Sequence, residues 1–136
     1  MKKRFYSFLA VILVLTTIGQ SFVSASDISL YNNNTMTTTT DFSITETGEA
    51  IVYVDFTGYS GVTTGATINI TIEKRSFLFF WNDVVTETIT VYTYRYDNEF
   101  YYQLEDKGTY RCTVEYIVSG SGGADDVLTF EDTATY

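Results

Sequence analysis

"ATINITIEK", residues 66–74, decides the fold. Ala66, Ile68, Ile70 and Ile72 alternate with Thr67, Asn69, Thr71 and Glu73. Residues two apart share a face only in an extended chain, because on a helix they fall on nearly opposite sides. The stretch predicts a strand with an isoleucine face toward a core and a threonine-rich face toward water. Upstream, "EAIVYVDFT" (49–57) sets Ala50, Val52, Val54 and Phe56 against Ile51, Tyr53 and Asp55, and "DFSITE" (41–46) places Phe42 and Ile44 together. Downstream, "GTYRCTVEYIV" (108–118) alternates Tyr110, Cys112, Val114, Tyr116 and Val118 with Thr109, Arg111, Thr113 and Glu115. "VVTETITVYTYRY" (84–96) carries Val85, Ile89 and Val91 on one face, and threonines followed by Tyr92, Tyr94 and Tyr96 on the other. "EFYYQLED" (99–106) turns Phe100, Tyr102 and Leu104 inward, and "VLTFEDTATY" (127–136) supplies the last strand. "SFLFFWND" (76–83) breaks the alternation and reads as a turn leading into the next strand. About seven short strands punctuated by glycine, serine, asparagine and aspartate predict an all-β fold, a sandwich of two antiparallel sheets.

The first residues, "MKKRFYSFLAVILVLTTIGQSFVSA" (1–25), join a basic start to an apolar run from Phe8 to Leu15 and a small-x-small ending at Val23-Ser24-Ala25. This is the layout of a secretory signal peptide cleaved after Ala25, so the chain is expected outside the cell. A bilayer span needs about 20 apolar residues, and Thr16, Thr17, Gly19 and Gln20 interrupt this run. With no second apolar run, no transmembrane segment is expected. Residues 26–40, "SDISLYNNNTMTTTT", are polar and of low complexity, a flexible lead or a weak edge strand ahead of a single domain over 41–136. The signal takes Lys2, Lys3 and Arg4 from the eight basic residues, leaving five against seventeen acidic ones, a formal charge of −12. Binding to phosphate backbones depends on cations displacing counterions, so nucleic acid is excluded as a partner. The chain contains no proline, and charge must guard its strand edges instead.

Asp106-Lys107-Gly108-Thr109-Tyr110-Arg111-Cys112 resembles the D-x-G-x-Y-x-C corner of immunoglobulin-like domains. The resemblance implies an Ig-like sandwich in which Tyr110 hydrogen-bonds back to the upstream backbone, Gly108 permits tight entry into the strand, and Asp106 is a local polar partner. The chain departs from the immunoglobulin pattern elsewhere. Val52 and Val54 stand where the second disulfide cysteine belongs, Ile68 or Ile70 where the core tryptophan belongs, and Cys112 is the single cysteine. Cys112 lies on the inward parity of its strand, with no cation on its own face to depress its pKa, so it reads as a small buried hydrophobe. The chain is also similar to small secreted proteins of Gram-positive bacteria, through "GTYR" (108–111) and the ending Thr133-Ala134-Thr135-Tyr136. That likeness implies location and fold and adds no catalytic residue.

Without histidine and with one cysteine, the chain cannot assemble a Ser-His-Asp or Cys-His site, nor a zinc site of the usual nitrogen and sulfur type. Two carboxylates suffice for glycoside cleavage. Asp97 with Glu99 and Asp125 with Asp126 are therefore the pairs to weigh for a glycan hydrolase, although all stand in or beside turns, where acids are common. Asp125 and Asp126, joined by Glu131 or Asp132, are also the oxygen ligands available to a calcium ion. A strip of Tyr92, Tyr94 and Tyr96 beside Arg95, joined by Tyr101 from the next strand, offers ring area and hydroxyls to a cell-surface glycan or protein. The function expected is a secreted, non-enzymatic module that binds or coats. The alternatives are a carboxylate-dependent glycan hydrolase and a structural subunit that assembles through open strand edges.

Overall fold

Ile68, Ile70 and Ile72 have no exposed surface, while the polar residues between them stay partly exposed, the outcome an alternating strand demands. The computed structural model describes residues 32–136; the expected signal peptide (1–25) and residues 26–31 of the polar lead lie outside the described residues. Seven strands follow in order: β1 (Thr35–Ile44), β2 (Glu49–Gly58), β3 (Thr63–Arg75), β4 (Trp81–Val91), β5 (Arg95–Gln103), β6 (Thr109–Gly120) and β7 (Asp126–Thr135). All pairings are antiparallel, in a three-stranded sheet ordered β1-β2-β5 and a four-stranded sheet ordered β4-β3-β6-β7. The two sheets form a sandwich, and no helix occurs among the described residues.

The core lies between the central strands. Val52, Val54 and Phe56 of β2 face Ile68, Ile70 and Ile72 of β3 and Cys112, Val114 and Val118 of β6, all at 0% exposure. Burying one such aliphatic or aromatic side chain is worth about 1.5–3 kcal/mol, so this set accounts for the fold without a covalent staple. Cys112 is a free, buried thiol; burial, and then the nearby Asp132, push its pKa up to about 12. Val85, Ile89 and Val91 of β4 pack against the core from its edge, as do Phe100 and Tyr102 of β5.

Thr35–Thr40, the end of the stretch read as a polar lead, is the first half of β1 and pairs with β2 from Thr35↔Gly58 to Thr40↔Val54. Its β-branched side chains suit a pleat. The inward hydroxyl of Thr40 meets Tyr116 of β6 at 2.6 Å, and the Tyr116 hydroxyl also donates to the Thr39 carbonyl at 3.2 Å. A threonine face can therefore line the sandwich because a tyrosine from the opposite sheet satisfies it.

Both ends are tied by hydrogen bonds. At one, the Tyr110 hydroxyl donates to the Asp106 carbonyl at 2.5 Å, and Gly108, at φ +156°, turns the chain into β6. Tyr136 exchanges backbone hydrogen bonds with Gly108 and lays its ring on Gly48, where a Cβ would stand 2.6 Å from the ring. Gly48 also sits at φ +83°, so glycine is required there on two counts. At the other end the Asp126 carboxylate accepts three backbone N–H groups, from Asn33 at 2.8 Å, Asn34 at 2.7 Å and Thr35 at 2.8 Å. Asn34, fully buried, donates to the Ala124 carbonyl at 3.0 Å and accepts from Gly122 N–H at 3.1 Å, fastening the β6–β7 loop over the opening.

Candidate binding surfaces

The tyrosines expected to form one strip are distributed over three environments. β4 stops at Val91, and Tyr92, Thr93 and Tyr94 form the connection that carries the chain from one sheet to the other. Tyr92 is 89% exposed and Tyr94 39%. After the crossing the parity changes. Tyr96 pairs opposite Phe56 and packs against the core, whereas Arg95 and Tyr101, opposite Thr57 and Ile51, lie on the outer face. The five residues therefore share no single plane. The reason is physical: a strand that switches sheets must also choose anew which of its faces points inward, and Phe100 and Tyr102 carry more apolar surface than Glu99 and Tyr101 with its neighbouring acids.

Tyr101 belongs instead to an acidic outer face on the three-stranded sheet. In register across it stand Asp41, Tyr53 and Glu99, then Thr39, Asp55 and Asp97. Tyr53 donates to Asp55 at 3.3 Å and Tyr101 to Glu99 at 2.5 Å. The Glu99 carboxylate that accepts this bond holds the Tyr101 phenol above its usual pKa, and partial burial with the Asp55 charge does the same for Tyr53. Asp55 and Asp97 face one another directly, an arrangement of like charges that a sheet tolerates at a cost.

Asp125 and Asp126 stand in different environments. Asp125 is exposed, while both oxygens of Asp126 are committed to the backbone of residues 33–35. Burial alone would raise the Asp126 pKa, but the N–H groups of Asn34, Asn33 and Thr35 outweigh it and hold the carboxyl below its ordinary value. Among the described residues no group of three or more histidine, cysteine, aspartate or glutamate side chains is arranged to hold a metal ion. Of the corner residues, Asp106 pairs with Lys74 at 2.9 Å, and Cys112 faces the core.

Among the described residues, the longest run of exposed large apolar side chains is one that sequence reasoning passed over as a turn. β3 and β4 end on the rung Arg75↔Trp81, and the five residues between them form the hairpin tip. Phe77, Leu78, Phe79 and Phe80 are 67%, 59%, 82% and 68% exposed. The tip is nonetheless ordered by its own polar groups: Ser76 N–H donates to the Phe80 carbonyl at 2.9 Å and Phe80 N–H to the Phe77 carbonyl at 3.0 Å. The Arg75 guanidinium donates to the Leu78 carbonyl at 2.7 Å. Leu78 sits at φ +49°, a left-handed conformation that disfavours any residue with a Cβ by about 1–2 kcal/mol. Behind the tip, Arg111 stacks on Trp81 at 4.7 Å while bonding Glu73 at 2.7 Å, and Val84, at the bulge between Ile72 and Glu73, is 46% exposed.

No protein-family model and no curated protein sequence matches the chain. Its surfaces must be weighed on chemistry alone. Isolated exposed apolar residues are ordinary, but a contiguous run on one projecting loop marks a contact surface. The signal was present in the sequence: four successive large apolar residues between two cleanly alternating strands, with no glycine, asparagine or proline to make the turn.

Proposed function

We propose that this chain is a secreted, non-enzymatic, immunoglobulin-like binding module that engages its partner through the tip of the β3–β4 hairpin. Secretion rests on the signal-like residues 1–25. The immunoglobulin-like reading is supported by the sheets β1-β2-β5 and β4-β3-β6-β7, and by a tyrosine that starts the sixth strand two residues before Cys112 and bonds to the carbonyl four residues back. The absence of histidine from the sequence and the commitment of Asp126 to the backbone favour binding over hydrolysis.

The observation that carries the proposal is the 59–82% exposure of Phe77–Phe80 on a loop closed by its own hydrogen bonds. A tip closed in this way has less conformational freedom to lose when it docks. Retention on a phenyl-bearing matrix tests it: the protein is expected to be retained, and a variant with Phe79→Ser and Phe80→Ser to elute early with an unchanged melting temperature. Equal retention of the two would sink the proposal.

A further inference from the structure

The binding reading leaves the partner open, and the shape of the tip narrows it. The last rung that β3 shares with β6 is Lys74↔Tyr110. Beyond it the hairpin runs on with no strand on that side, through the rung Arg75↔Trp81 and the five-residue tip. The tip turns its apolar side chains outward, at 59–82% exposure. Elements that lie in a membrane interface sink only about 5–10 Å into the boundary between headgroups and acyl chains, so a short projecting tip is enough to reach it.

The residues behind the tip suit the layer above. Trp81 is an amphipathic ring of the kind that collects at membrane–water interfaces. Lys74, Arg75, Lys107 and Arg111 gather around this end, four of the five basic residues outside the signal region; Lys74 is paired with Asp106 and Arg111 with Glu73, while Arg75, which adjoins the tip, bonds only the Leu78 carbonyl. A headgroup phosphate would therefore meet Arg75 beside the tip, and the acidic face of the three-stranded sheet would be held away. The tip's polar backbone is partly satisfied internally, which lowers the cost of leaving water.

We infer that the Phe77–Phe80 tip inserts shallowly into the interface of a lipid bilayer, with Trp81 and Arg75 at headgroup level. This rests on the binding reading given above. No covalent step is involved. Among the described residues no helix is long and apolar enough to cross a membrane. Attachment through the tip alone would be reversible.

The test uses vesicles of phosphatidylcholine, with and without phosphatidylglycerol, and tip variants sharing the same residues 1–31 as the parent. Trp81, the only tryptophan, reports on the tip itself. Its emission is expected to shift to shorter wavelength with vesicles and to be quenched by brominated acyl chains. Phe79→Ser is expected to lower the partition coefficient about tenfold, the effect of losing one large apolar side chain. Tyr92→Ser, an exposed change at the far end of β4, should leave partitioning unaltered. Loss of binding in Tyr92→Ser to the same extent, or vesicle binding with no change at Trp81, would overturn the proposal. Tip-dependent retention on the phenyl matrix without vesicle binding would overturn the lipid assignment and leave the binding reading standing. Tip-dependent self-association in light scattering, without vesicle binding, would reassign the surface to a second copy of the chain. Failure of both retention and vesicle binding would remove both readings.

Discussion

Asp126→Ala isolates the contribution of a single side chain to closing one end of the sandwich. In the folded chain its carboxylate serves three backbone N–H groups, two of them, on Asn34 and Thr35, fully buried. Removing it leaves two buried donors unpaired at about 1–3 kcal/mol each, while Asn33 can turn to water. The expected loss is about 2–6 kcal/mol, a large share of the roughly 5–15 kcal/mol that holds such a domain. At about 4–8 °C per kcal/mol for a domain near this size, the melting temperature should fall by about 8 °C or more. Asp126→Asn should cost less, because its amide oxygen can keep the shared bond to Asn34 and Thr35, and only the more exposed Asn33 N–H, which would face the NH2 group donor to donor, must turn to water. The order of stability is then parent, Asn, Ala. The pH dependence has a definite sign. The folded-state pKa of Asp126 lies below its ordinary value, so its contribution is complete above the unfolded value of about 3.9 and is lost as pH falls through the lower folded one. The stability gap between parent and Asp126→Asn, from urea melts at neutral pH and near pH 3, should narrow in acid. An Ala variant within about 1 kcal/mol of the parent, or a gap that widens in acid, would refute the clamp.

Three other outcomes follow from the geometry. Tyr110→Phe removes the hydroxyl bonded to the Asp106 carbonyl and should cost about 1 kcal/mol in a denaturant melt. Asp106→Asn keeps that carbonyl and loses only the exposed ion pair with Lys74, so it should cost less than Tyr110→Phe. With its pKa near 12 and no exposed surface, Cys112 should resist thiol reagents in the folded protein at about pH 8 and react fully in denaturant; prompt labelling of the native state would contradict the burial. Asp97→Asn relieves the charge facing Asp55 and should raise stability by a few tenths of a kcal/mol in thermal melts, where a loss would show that the pair is bridged by something else.

What could be read from the sequence depended on how local the cause was. β2, β3 and β6 announce themselves because each is a central strand, with one face in the core and the other toward water, and the same side chains record both facts. The Thr35–Thr40 run was harder, since an edge strand of threonines carries no hydrophobic period; what makes it a strand is the pairing with β2 and the Tyr116 hydroxyl from the other sheet. The break at Val91 left no mark at all. The alternation of "TVYTYRY" runs through the crossing, so residues 84–96 read as one strand with a tyrosine face, although β4 turns odd-numbered residues inward and β5 even-numbered ones. Asp126 was invisible for a related reason. A loop aspartate looks solvated until its partners arrive, and these lie 91 to 93 residues away.

Among the described residues, the hairpin tip differs from the sheet edges and the outer sheet face in what it would cost to keep exposed. The sheet edges carry threonine and charge, and the outer face of the three-stranded sheet is acidic, so association is discouraged there. At Phe77–Phe80 nothing discourages it, and Leu78 is held in a disfavoured conformation that contributes to no core. Neither the sandwich nor its two tied ends need these side chains. Complete burial of one is worth about 1.5–3 kcal/mol, so four residues at 59–82% exposure hold about 4–8 kcal/mol in reserve for a contact. Before the costs of association, that span corresponds to dissociation constants from about millimolar to micromolar. A single hairpin of this kind therefore gives reversible attachment, and the loss of one phenylalanine is enough to weaken it about tenfold.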